Sequence, residues 1–424
     1  MRYTKISMTD VIIAGAGTAG LMTAITAARR GLSVTVLEPN GKTGKKLRIT
    51  GKGRCNVTND SAPQEFLQKV CTNARFLKSS LYAFPPEAVK EFFEEAGVPL
   101  KTERGERVFP VSDNANDIAD TLEHMAKSAG VRFVRERLAD IRTESGHVSA
   151  AVTDRDEYPC RAVVLCTGGL SYPATGSTGD GYQLAKQAGH TVTKLKPSLV
   201  PLVAKNDWCR KAQGLALKNI AVRVFDNTKG RTVYEDFGEL LFTHFGLSGP
   251  VILSASSHMR EMESGRYSVI IDLKPALTLQ QLDARLQRDF EKYSNRDFAN
   301  ALGDLLPKSL ISVIIKLSLI PPEEKVHQIT RGQRLQLAEL LKNLTVTVED
   351  FRPIEEAIVT SGGVNTKEVS PKTMESKLVR GLFFAGEVLD VDGYTGGFNL
   401  QIAFSTGRLA AKEILERKGK NPTK

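Results

Sequence analysis

The hydrophobic pattern of the first part of the chain alternates between short apolar runs and stretches of helical periodicity. Short apolar runs bounded by turn residues are typical of buried strands, and apolar spacings of three and four are typical of helices. The pattern predicts strands over Val11–Ala14, Ser33–Leu37, Gly146–Thr153 and Arg161–Thr167. It predicts helices over Ala19–Arg30, Pro63–Ser79, Pro86–Ala96 and Asp117–Ala129, with a loop over Pro39–Asn59 and a hairpin over Lys101–Pro110. Alternating strands and helices favour an α/β fold built on a parallel sheet.

From about residue 196 the pattern changes to short strands separated by turns. The predicted strands of this region are Leu199–Ala204, Ile220–Phe225, Thr232–Glu235, Tyr267–Asp272, Leu344–Val348 and Ile354–Val359. Residues 278–343 are helical and charged instead, and the chain ends with a strand over Gly381–Ala385 and a helix over Leu400–Arg417. We therefore expect an α/β domain from residues 1–195 and 355–424, a β-rich insert from 196–277 and 344–354, and a helical insert from 278–343.

The composition, 41% hydrophobic, is ordinary for a globular protein. The apolar runs are too short to span a membrane, and the N-terminus lacks the apolar core of a signal peptide. Five scattered cysteines without C-x-x-C spacing indicate reduced thiols, with neither a metal site nor a disulfide framework. We expect a cytoplasmic protein that does not associate with membranes.

The charge balance is basic, with 58 Lys and Arg against 48 Asp and Glu and a net charge of +10. Such an excess can indicate nucleic-acid binding when it is concentrated on one segment. Here it is dispersed, with clusters at Lys42–Arg54, Lys194–Lys196 and Arg210–Lys218. The distribution therefore favours a small-molecule substrate over nucleic acid.

A glycine motif follows the first predicted strand. Gly15, Gly17 and Gly20 have G-x-G-x-x-G spacing, and the next predicted strand ends at the acidic Glu38. The first glycine permits a tight turn, the second lets a pyrophosphate approach the backbone, and the third lets helix and strand pack closely. Because an acid at the end of the second strand can accept a ribose hydrogen bond, the unit predicts binding of an adenine dinucleotide. The alternative is a glycine-rich turn in an ordinary βαβ unit, which would not need that acid.

Two later segments narrow the dinucleotide to a flavin. Thr167-Gly168-Gly169 follows a buried strand, and its small residues let the backbone lie against a cofactor. Ala385-Gly386-Glu387 follows the last strand, where the Glu387 carboxylate can accept hydrogen bonds from a ribityl chain. Gly396-Gly397 then open a helix whose N–H groups suit the negative charge on a reduced flavin. Together the segments predict FAD.

Four motifs carry a resemblance to a known family. They are GKKLRITGKGRCNVTN (Gly44–Asn59), TGGLSYPATGSTGDGY (Thr167–Tyr182), LLFTHFGLSGP (Leu240–Pro250) and GLFFAGEVLDVDGYTGGFNLQ (Gly381–Gln401). The chain resembles the BaiN-like (YhiN-like) FAD-binding proteins, which include the aminoacetone oxidase family and NAD(P)/FAD-dependent oxidoreductases. The resemblance implies a Rossmann-like FAD-binding domain of the two-dinucleotide-binding-domain flavoprotein type, with β-barrel-like and helical inserted domains.

The resemblance also implies which residues contact FAD. These are Gly15, Gly17, Ala19, Gly20, Glu38, Lys46, Gly53, Arg54, Asn56, Thr167, Gly168, Gly386, Glu387, Gly397, Phe398 and Asn399. One departure is the first turn, which reads AGAGTAG where relatives often have GGGPAG. Ala14 and Thr18 account for the difference, which leaves phosphate binding intact.

Candidate catalytic residues lie in and between these motifs. His244, in the loop Thr243–Pro250, suits an acid–base group in a gate above the flavin, or a histidine that fills a domain interface. Tyr172 and Tyr394 can donate a phenolic proton or shape the pocket. Cys55 has no second cysteine at resolving distance, so a small buried residue beside the cofactor is favoured over a disulfide mechanism.

The predicted activity is hydride transfer between a small or medium organic substrate and flavin N5, with NAD(P)H or O₂ as second partner. The chain has no second complete G-x-G-x-x-G unit, so NAD(P)H would dock transiently as a co-substrate. Reduction of a conjugated enone, suggested by the family, competes with oxidation of a small amine such as aminoacetone. The alternatives are a flavoprotein that binds or modifies tRNA and a non-catalytic flavin scaffold.

Overall fold

The computed structural model describes residues 8–420, with side chains as far as residue 414, and the chain divides into two compact units. Within the described residues, the first unit runs to Ser198 and resumes at Ala357, and the second comprises Leu199–Glu356. The division of the inserted part into separate β-rich and helical domains stays a prediction. No described helix combines the length and apolar character needed to cross a membrane.

The first unit contains fourteen strands and eight helices among the described residues. Its strands are β1 (Thr9–Ala14), β2 (Val34–Leu37), β3 (Thr58–Asn59), β4 (Val70–Thr72), β5 (Leu100–Glu103), β6 (Arg107–Pro110), β7 (Arg132–Val134), β8 (Leu138–Glu144), β9 (His147–Thr153), β10 (Glu157–Leu165), β11 (Lys196–Ser198), β18 (Val359–Ser361), β19 (Leu382–Phe384) and β20 (Asp392–Gly393). Its helices are α1 (Thr18–Ala28), α2 (Lys45–Ile49), α3 (Pro63–Gln68), α4 (Lys78–Ala83), α5 (Pro86–Glu95), α6 (Ala115–Ser128), α7 (Asp180–Gln187) and α13 (Phe398–Lys420).

The core of this unit is a parallel sheet with the order β7-β2-β1-β10-β19. β1 lies near its centre, and Val11, Ile12 and Ile13 are all fully buried, as expected of a strand covered on both faces. The first half of β10 pairs antiparallel with β9, which continues into β8. Helices α1 and α13 pack closely against each other. Thr23 Oγ1 on α1 donates a hydrogen bond to the Gly407 carbonyl on α13 at 3.1 Å.

Three small sheets complete the first unit. β5 and β6 form the predicted hairpin, and β3 pairs with β6 on its other side. β4 pairs with β20, and β11 pairs with β18, both antiparallel. These pairings bring the segment after the 44–59 motif and the segment before α13 into the same part of the unit.

The second unit contains a closed barrel with the order β12-β15-β14-β13-β16-β17. The strands are β12 (Leu202–Ala204), β13 (Ala216–Asp226), β14 (Arg231–Phe242), β15 (Gly246–Ser248), β16 (Tyr267–Asp272) and β17 (Leu344–Phe351). Alternate residues are buried along them, as in Val222 and Val224 on β13 and Val346 and Val348 on β17. The barrel confirms the β-barrel-like insert predicted from the family resemblance.

The remaining helices belong to the same unit. They are α8 (Trp208–Lys211), α9 (Pro250–Ser256), α10 (Leu279–Lys292), α11 (Lys308–Ser318) and α12 (Arg331–Lys342). α10 and α12 each begin with a capping box, in which Thr278 pairs with Gln281 and Thr330 with Gln333. The last three helices lie between β16 and β17 and form the helical part of the insert.

Three predicted segments differ from the structure. The helix predicted over Pro63–Ser79 is interrupted by β4 (Val70–Thr72), which pairs with the distant β20 and separates α3 from α4. The stretch between Pro39 and Asn59, expected to be a loop, contains the short helix α2 and a 3-10 turn over Thr50–Gly53. The strand predicted over Ile354–Val359 is a 3-10 turn over Ile354–Glu356, followed by β18 three residues later. Pairing with the distant β11 sets where β18 begins.

A buried histidine makes the stability of this unit sensitive to pH. His190 is 4% exposed, with Nε2 at 2.7 Å from Ser376 Oγ and Nδ1 at 3.3 Å from Glu368 Oε2. Its ring also packs edge-on against Phe384. Burial disfavours the imidazolium and lowers the pKa of His190 below its usual 6.5, although Glu368 opposes this shift.

We expect this histidine to destabilise the protein at acid pH. Because its pKa is lowered on folding, the unfolded chain binds more protons below about pH 6.5, so stability falls as the pH decreases from there towards the lowered pKa. His190→Gln lacks this titration. Its deficit in Tm relative to wild type should therefore be largest near pH 7.5 and narrow near pH 5.5. A deficit that grows at acid pH would contradict this assignment.

Candidate flavin-binding site

The glycine turn after β1 has the three roles expected of a dinucleotide site. Gly15 has φ +99°, and a methyl group there would lie 2.6 Å from the Cys166 carbonyl oxygen. A methyl group on Gly20 would overlap the Gly15 carbonyl oxygen. Gly17 differs, because it has φ −81° and no described atom lies within 4 Å of the place its methyl group would take. The space beside its backbone is therefore open to a ligand.

Glu38 lies directly beside this turn. It follows β2, and its Oε2 accepts a hydrogen bond from the Ala16 backbone N–H at 2.8 Å. Its Oε1 accepts from the backbone N–H and the side-chain Nδ2 of Asn40, at 2.9 and 2.7 Å. These contacts fix the carboxylate at the mouth of the glycine turn, where the sequence places a ribose-binding acid.

Two of the residues predicted to contact FAD each have a buried side-chain oxygen without a hydrogen-bond partner among the described residues. These oxygens are Asn56 Oδ1 and Thr167 Oγ1. A buried polar atom left without a partner costs about 1–3 kcal/mol, so such atoms in a native protein generally bind something. Together with the open Gly17, these atoms show that the residues present fit a polar cofactor such as FAD.

The turn before α13 is held by its own side chains. Asn399 Nδ2 donates to the carbonyls of Gly393 and Tyr394 at 2.9 and 3.3 Å, and Asn399 Oδ1 accepts from the Gly393 N–H at 2.9 Å. Phe398 is buried, with its ring centroid 4.7 Å from that of Phe66. These side chains therefore make their contacts inside the protein, and the predicted contacts of Phe398 and Asn399 with FAD stay predictions.

Glu387 and Lys46 are in direct contact. Lys46 Nζ lies 2.7 Å from Glu387 Oε2, and both side chains are about one-fifth exposed, at 23% and 19%. Glu387 Oε1 accepts from Ser171 Oγ and from the Thr360 backbone N–H, both at 2.9 Å. Lys46 Nζ also donates to Ser171 Oγ at 2.6 Å. The network joins three of the four family motifs and β18. Neither Ser171 nor Thr360 is among the site residues predicted from the sequence.

Arg54 is paired with two carboxylates. Its Nη2 lies 2.5 Å from Glu103 Oε1 and 2.6 Å from Asp113 Oδ1. The guanidinium also lies over the Phe109 ring at 4.1 Å from its centroid. Its hydrogen bond to Glu103 is the main cause that lowers the pKa of that carboxyl. These partners occupy the guanidinium, so its role as a FAD contact stays a prediction.

Cys55 is an inert thiol in this environment. It is fully buried beside Arg54, and burial raises its pKa to about 12. A neutral buried thiol is a poor nucleophile. We therefore expect Cys55→Ala to leave the rate of flavin reduction within about twofold of wild type in stopped-flow measurements. A loss above about tenfold at normal flavin content would instead indicate a thiol-dependent mechanism.

The predicted catalytic residues are divided between the two units. Tyr172, 37% exposed, lies in the loop after β10 of the first unit. Tyr394 lies in the turn before α13, with Lys69 Nζ 5.2 Å from its ring centroid. His244 belongs to the second unit, in the loop between β14 and β15, where its ring lies 4.9 Å from that of Phe245. Their catalytic roles stay predictions.

The parallel sheet, the glycine turn and the fixed acid define an FAD-binding flavoprotein of the Rossmann type. The chain belongs to the family described as HI0933-like protein Rossmann domain, which matches residues 9–413. This confirms the resemblance to BaiN-like proteins inferred from the motifs and makes the chain an FAD-dependent oxidoreductase.

Similar proteins span the whole chain. It is 32% identical over 419 residues to the 3-dehydro-bile acid delta(4,6)-reductase of Clostridium scindens, which covers 97% of this chain and 100% of the relative. It is 31% identical over 411 residues to the ribosomal RNA dihydrouridine synthase of Escherichia coli, covering 96% and 98%. A solved 3-ketosteroid-delta4-(5alpha)-dehydrogenase from Rhodococcus jostii has a similar fold, with a TM-score of 0.52, 17% identity and coverage of 97% and 98%.

Proposed function

We propose that this protein uses FAD to reduce a carbon–carbon double bond conjugated to a carbonyl group. The observation that carries the proposal is its similarity, over nearly the full length, to two relatives of about equal identity. One relative is named for reducing a keto bile acid and the other for forming dihydrouridine. The two substrates differ in size, but each has an unsaturated bond in conjugation with a carbonyl, so the bond type is what they share.

The residues of the first unit provide the binding chemistry for this reaction. The backbone at Gly17 would lie against the pyrophosphate, and the Glu38 carboxylate would accept a hydrogen bond from a ribose hydroxyl. Asn56 and Thr167 offer their unpartnered polar atoms, and the N-terminus of α13 provides backbone N–H groups where negative charge develops. When bound, FAD supplies the hydride.

The proposed reaction needs a hydride donor and a proton donor. NAD(P)H is the proposed source of the hydride that bound FAD would supply, and the hydride ends on the carbon of the double bond that is further from the carbonyl. A proton must be added at the carbon next to the carbonyl, and Tyr172, Tyr394 and His244 are the proposed donors. With NAD(P)H oxidised and one double bond saturated, the reaction balances without oxygen.

A second candidate substrate is uridine in ribosomal RNA. It is favoured by the Escherichia coli relative and by the net charge of +10. The same experiment therefore tests both the type of reaction and the expectation that the substrate is a small molecule rather than nucleic acid. Binding through phosphate contacts would weaken steeply with salt, whereas binding of an uncharged enone would not.

Anaerobic stopped-flow spectroscopy tests the proposal. The flavin band should bleach on mixing with NADH or NADPH, and the reduced protein should then be reoxidised by a conjugated acceptor. The acceptors are a 3-oxo-4,6-diene bile acid, a simple cyclic enone and unmodified ribosomal RNA. The saturated 3-oxo bile acid is the matched control, because it differs only in lacking the double bonds.

Each outcome selects one reading. Reoxidation by a diene or enone but not by the saturated control supports the proposal, and reoxidation by RNA alone selects the second candidate. Bleaching by aminoacetone with reoxidation only by O₂ would replace the reductase with an amine oxidase. Bound FAD that none of these compounds turns over would indicate a scaffold.

A further inference from the structure

A fully buried polar cluster lies one turn inside α13. Gln401 and Thr58 are both 0% exposed, and Thr58 Oγ1 donates to Gln401 Oε1 at 2.6 Å. Gln401 Nε2 donates to the Phe84 carbonyl at 2.8 Å and to Ser405 Oγ at 3.0 Å. Ser405 Oγ donates to the same carbonyl at 2.8 Å. Since a carbonyl can only accept, the amide has one orientation, and its oxygen must face Thr58.

The cluster fixes β3 against the start of α13. A methyl group on Gly397, which has φ +98°, would overlap the backbone of Thr58. Asn59 follows Thr58 on β3, and its Nδ2 donates a hydrogen bond to the Gly396 carbonyl at 3.2 Å. β3 therefore contacts the Gly396-Gly397 turn through its backbone and one side chain, while the Thr58 hydroxyl is anchored one helical turn further in.

The segment that leads into β3 carries a second feature of the site. Asn56, with its unpartnered buried Oδ1, lies two residues before Thr58. A shift of β3 would consequently move Asn56 and the Gly397 backbone relative to each other. Both were predicted to contact FAD from the family resemblance, whereas Thr58 and Gln401 were not.

We propose that Thr58 and Gln401 are positioning residues that set the flavin reduction potential. This inference rests on the proposed FAD-dependent function. The N–H groups at the start of a long helix stabilise negative charge, and that stabilisation falls off within the first turn. The hydrogen bond between Thr58 and Gln401 fixes the position of β3 against the first turn of α13. It therefore controls how strongly the reduced, anionic form of the flavin is favoured over the oxidised form.

The test is the midpoint potential of flavin-loaded variants, measured anaerobically against a reference dye. Thr58→Val keeps the shape of the side chain and removes the donor. It should lower the equilibrium constant for flavin reduction about tenfold, equal to about 30 mV for a two-electron couple. Thr58→Ser keeps the hydroxyl and should restore the wild-type potential. Should Thr58→Val purify without flavin, Gln401→Met carries the same prediction, because it removes the acceptor.

Ser405→Ala is the matched control. It disrupts the far side of the same buried cluster without touching β3, so it should lower the Tm and leave the potential unchanged. An unchanged potential in flavin-loaded Thr58→Val, or an equal shift in Ser405→Ala, overturns this inference alone. Wild-type protein that takes up no FAD would overturn the proposed function as well.

Discussion

Gly17→Ala is expected to fold normally and to lose its flavin. The added methyl group meets no described atom within 4 Å and the backbone φ of −81° suits alanine, so the Tm of the flavin-free protein should be unchanged. The methyl group would instead occupy the space through which the pyrophosphate approaches. We expect FAD affinity to fall about 100-fold, about 2.8 kcal/mol, when measured by titration of flavin-free protein.

Two glycine variants serve as controls for this result. Gly303→Ala in the second unit also meets no described atom within 4 Å and should change neither affinity nor Tm. Gly20→Ala should lower both, because its methyl group overlaps the Gly15 carbonyl oxygen. FAD affinity in Gly17→Ala equal to that of wild type would show that the open face of the turn does not bind the cofactor.

Glu387→Leu is expected to destabilise the first unit strongly. It leaves the Lys46 ammonium and the Thr360 N–H without their carboxylate. Removing one partner of a buried ion pair costs about 3–5 kcal/mol, and the partial exposure of this pair places it near about 3 kcal/mol. The expected fall in Tm is about 6–10 °C in a thermal melt of the flavin-free protein.

The companion variant Lys46→Met measures how much of the lost stability comes from the ion pair and how much from the other contacts of Glu387. When both partners are replaced by apolar residues, no charge is left unpaired. The double variant Lys46→Met/Glu387→Leu should therefore be more stable than Glu387→Leu alone, by more than about 1 kcal/mol. Strictly additive losses would mean that Lys46 and Glu387 do not interact in solution.

The parts of the fold that depend on local pattern were predictable from the sequence. The strand predicted over Val11–Ala14 lies within β1, and the predicted hairpin Lys101–Pro110 overlaps β5 and contains β6. Amphipathic spacing likewise located α6, two residues earlier than predicted. In these segments the hydrophobic period and the turn residues agree with the tertiary structure, which is why local signals were sufficient.

Features set by long-range contacts were not predictable. The Lys46–Glu387 pair joins residues 341 positions apart, and no local signal marks Thr360 as its partner. Arg54 illustrates the same limit, because no local signal identifies Glu103 and Asp113 as its partners in the folded chain. The start of β18 was misplaced because its pairing with β11 is determined by residues far away in sequence.

The motifs were more informative about the cofactor than about the reaction. Glycines, small residues and one acid are required by the shape of a dinucleotide wherever it binds, so their spacing carries the signal. A substrate imposes no comparable pattern on the chain. The bond type proposed above therefore comes from the relatives, and the roles of Tyr172, Tyr394 and His244 await their variants.

The most direct test of the central claim is the flavin content of the natively purified protein. Acid denaturation followed by chromatography of the released cofactor should yield about one FAD per chain, and Gly17→Ala prepared in parallel should yield little. A colourless wild-type protein that remains free of FAD after incubation with an excess of the cofactor would contradict the account.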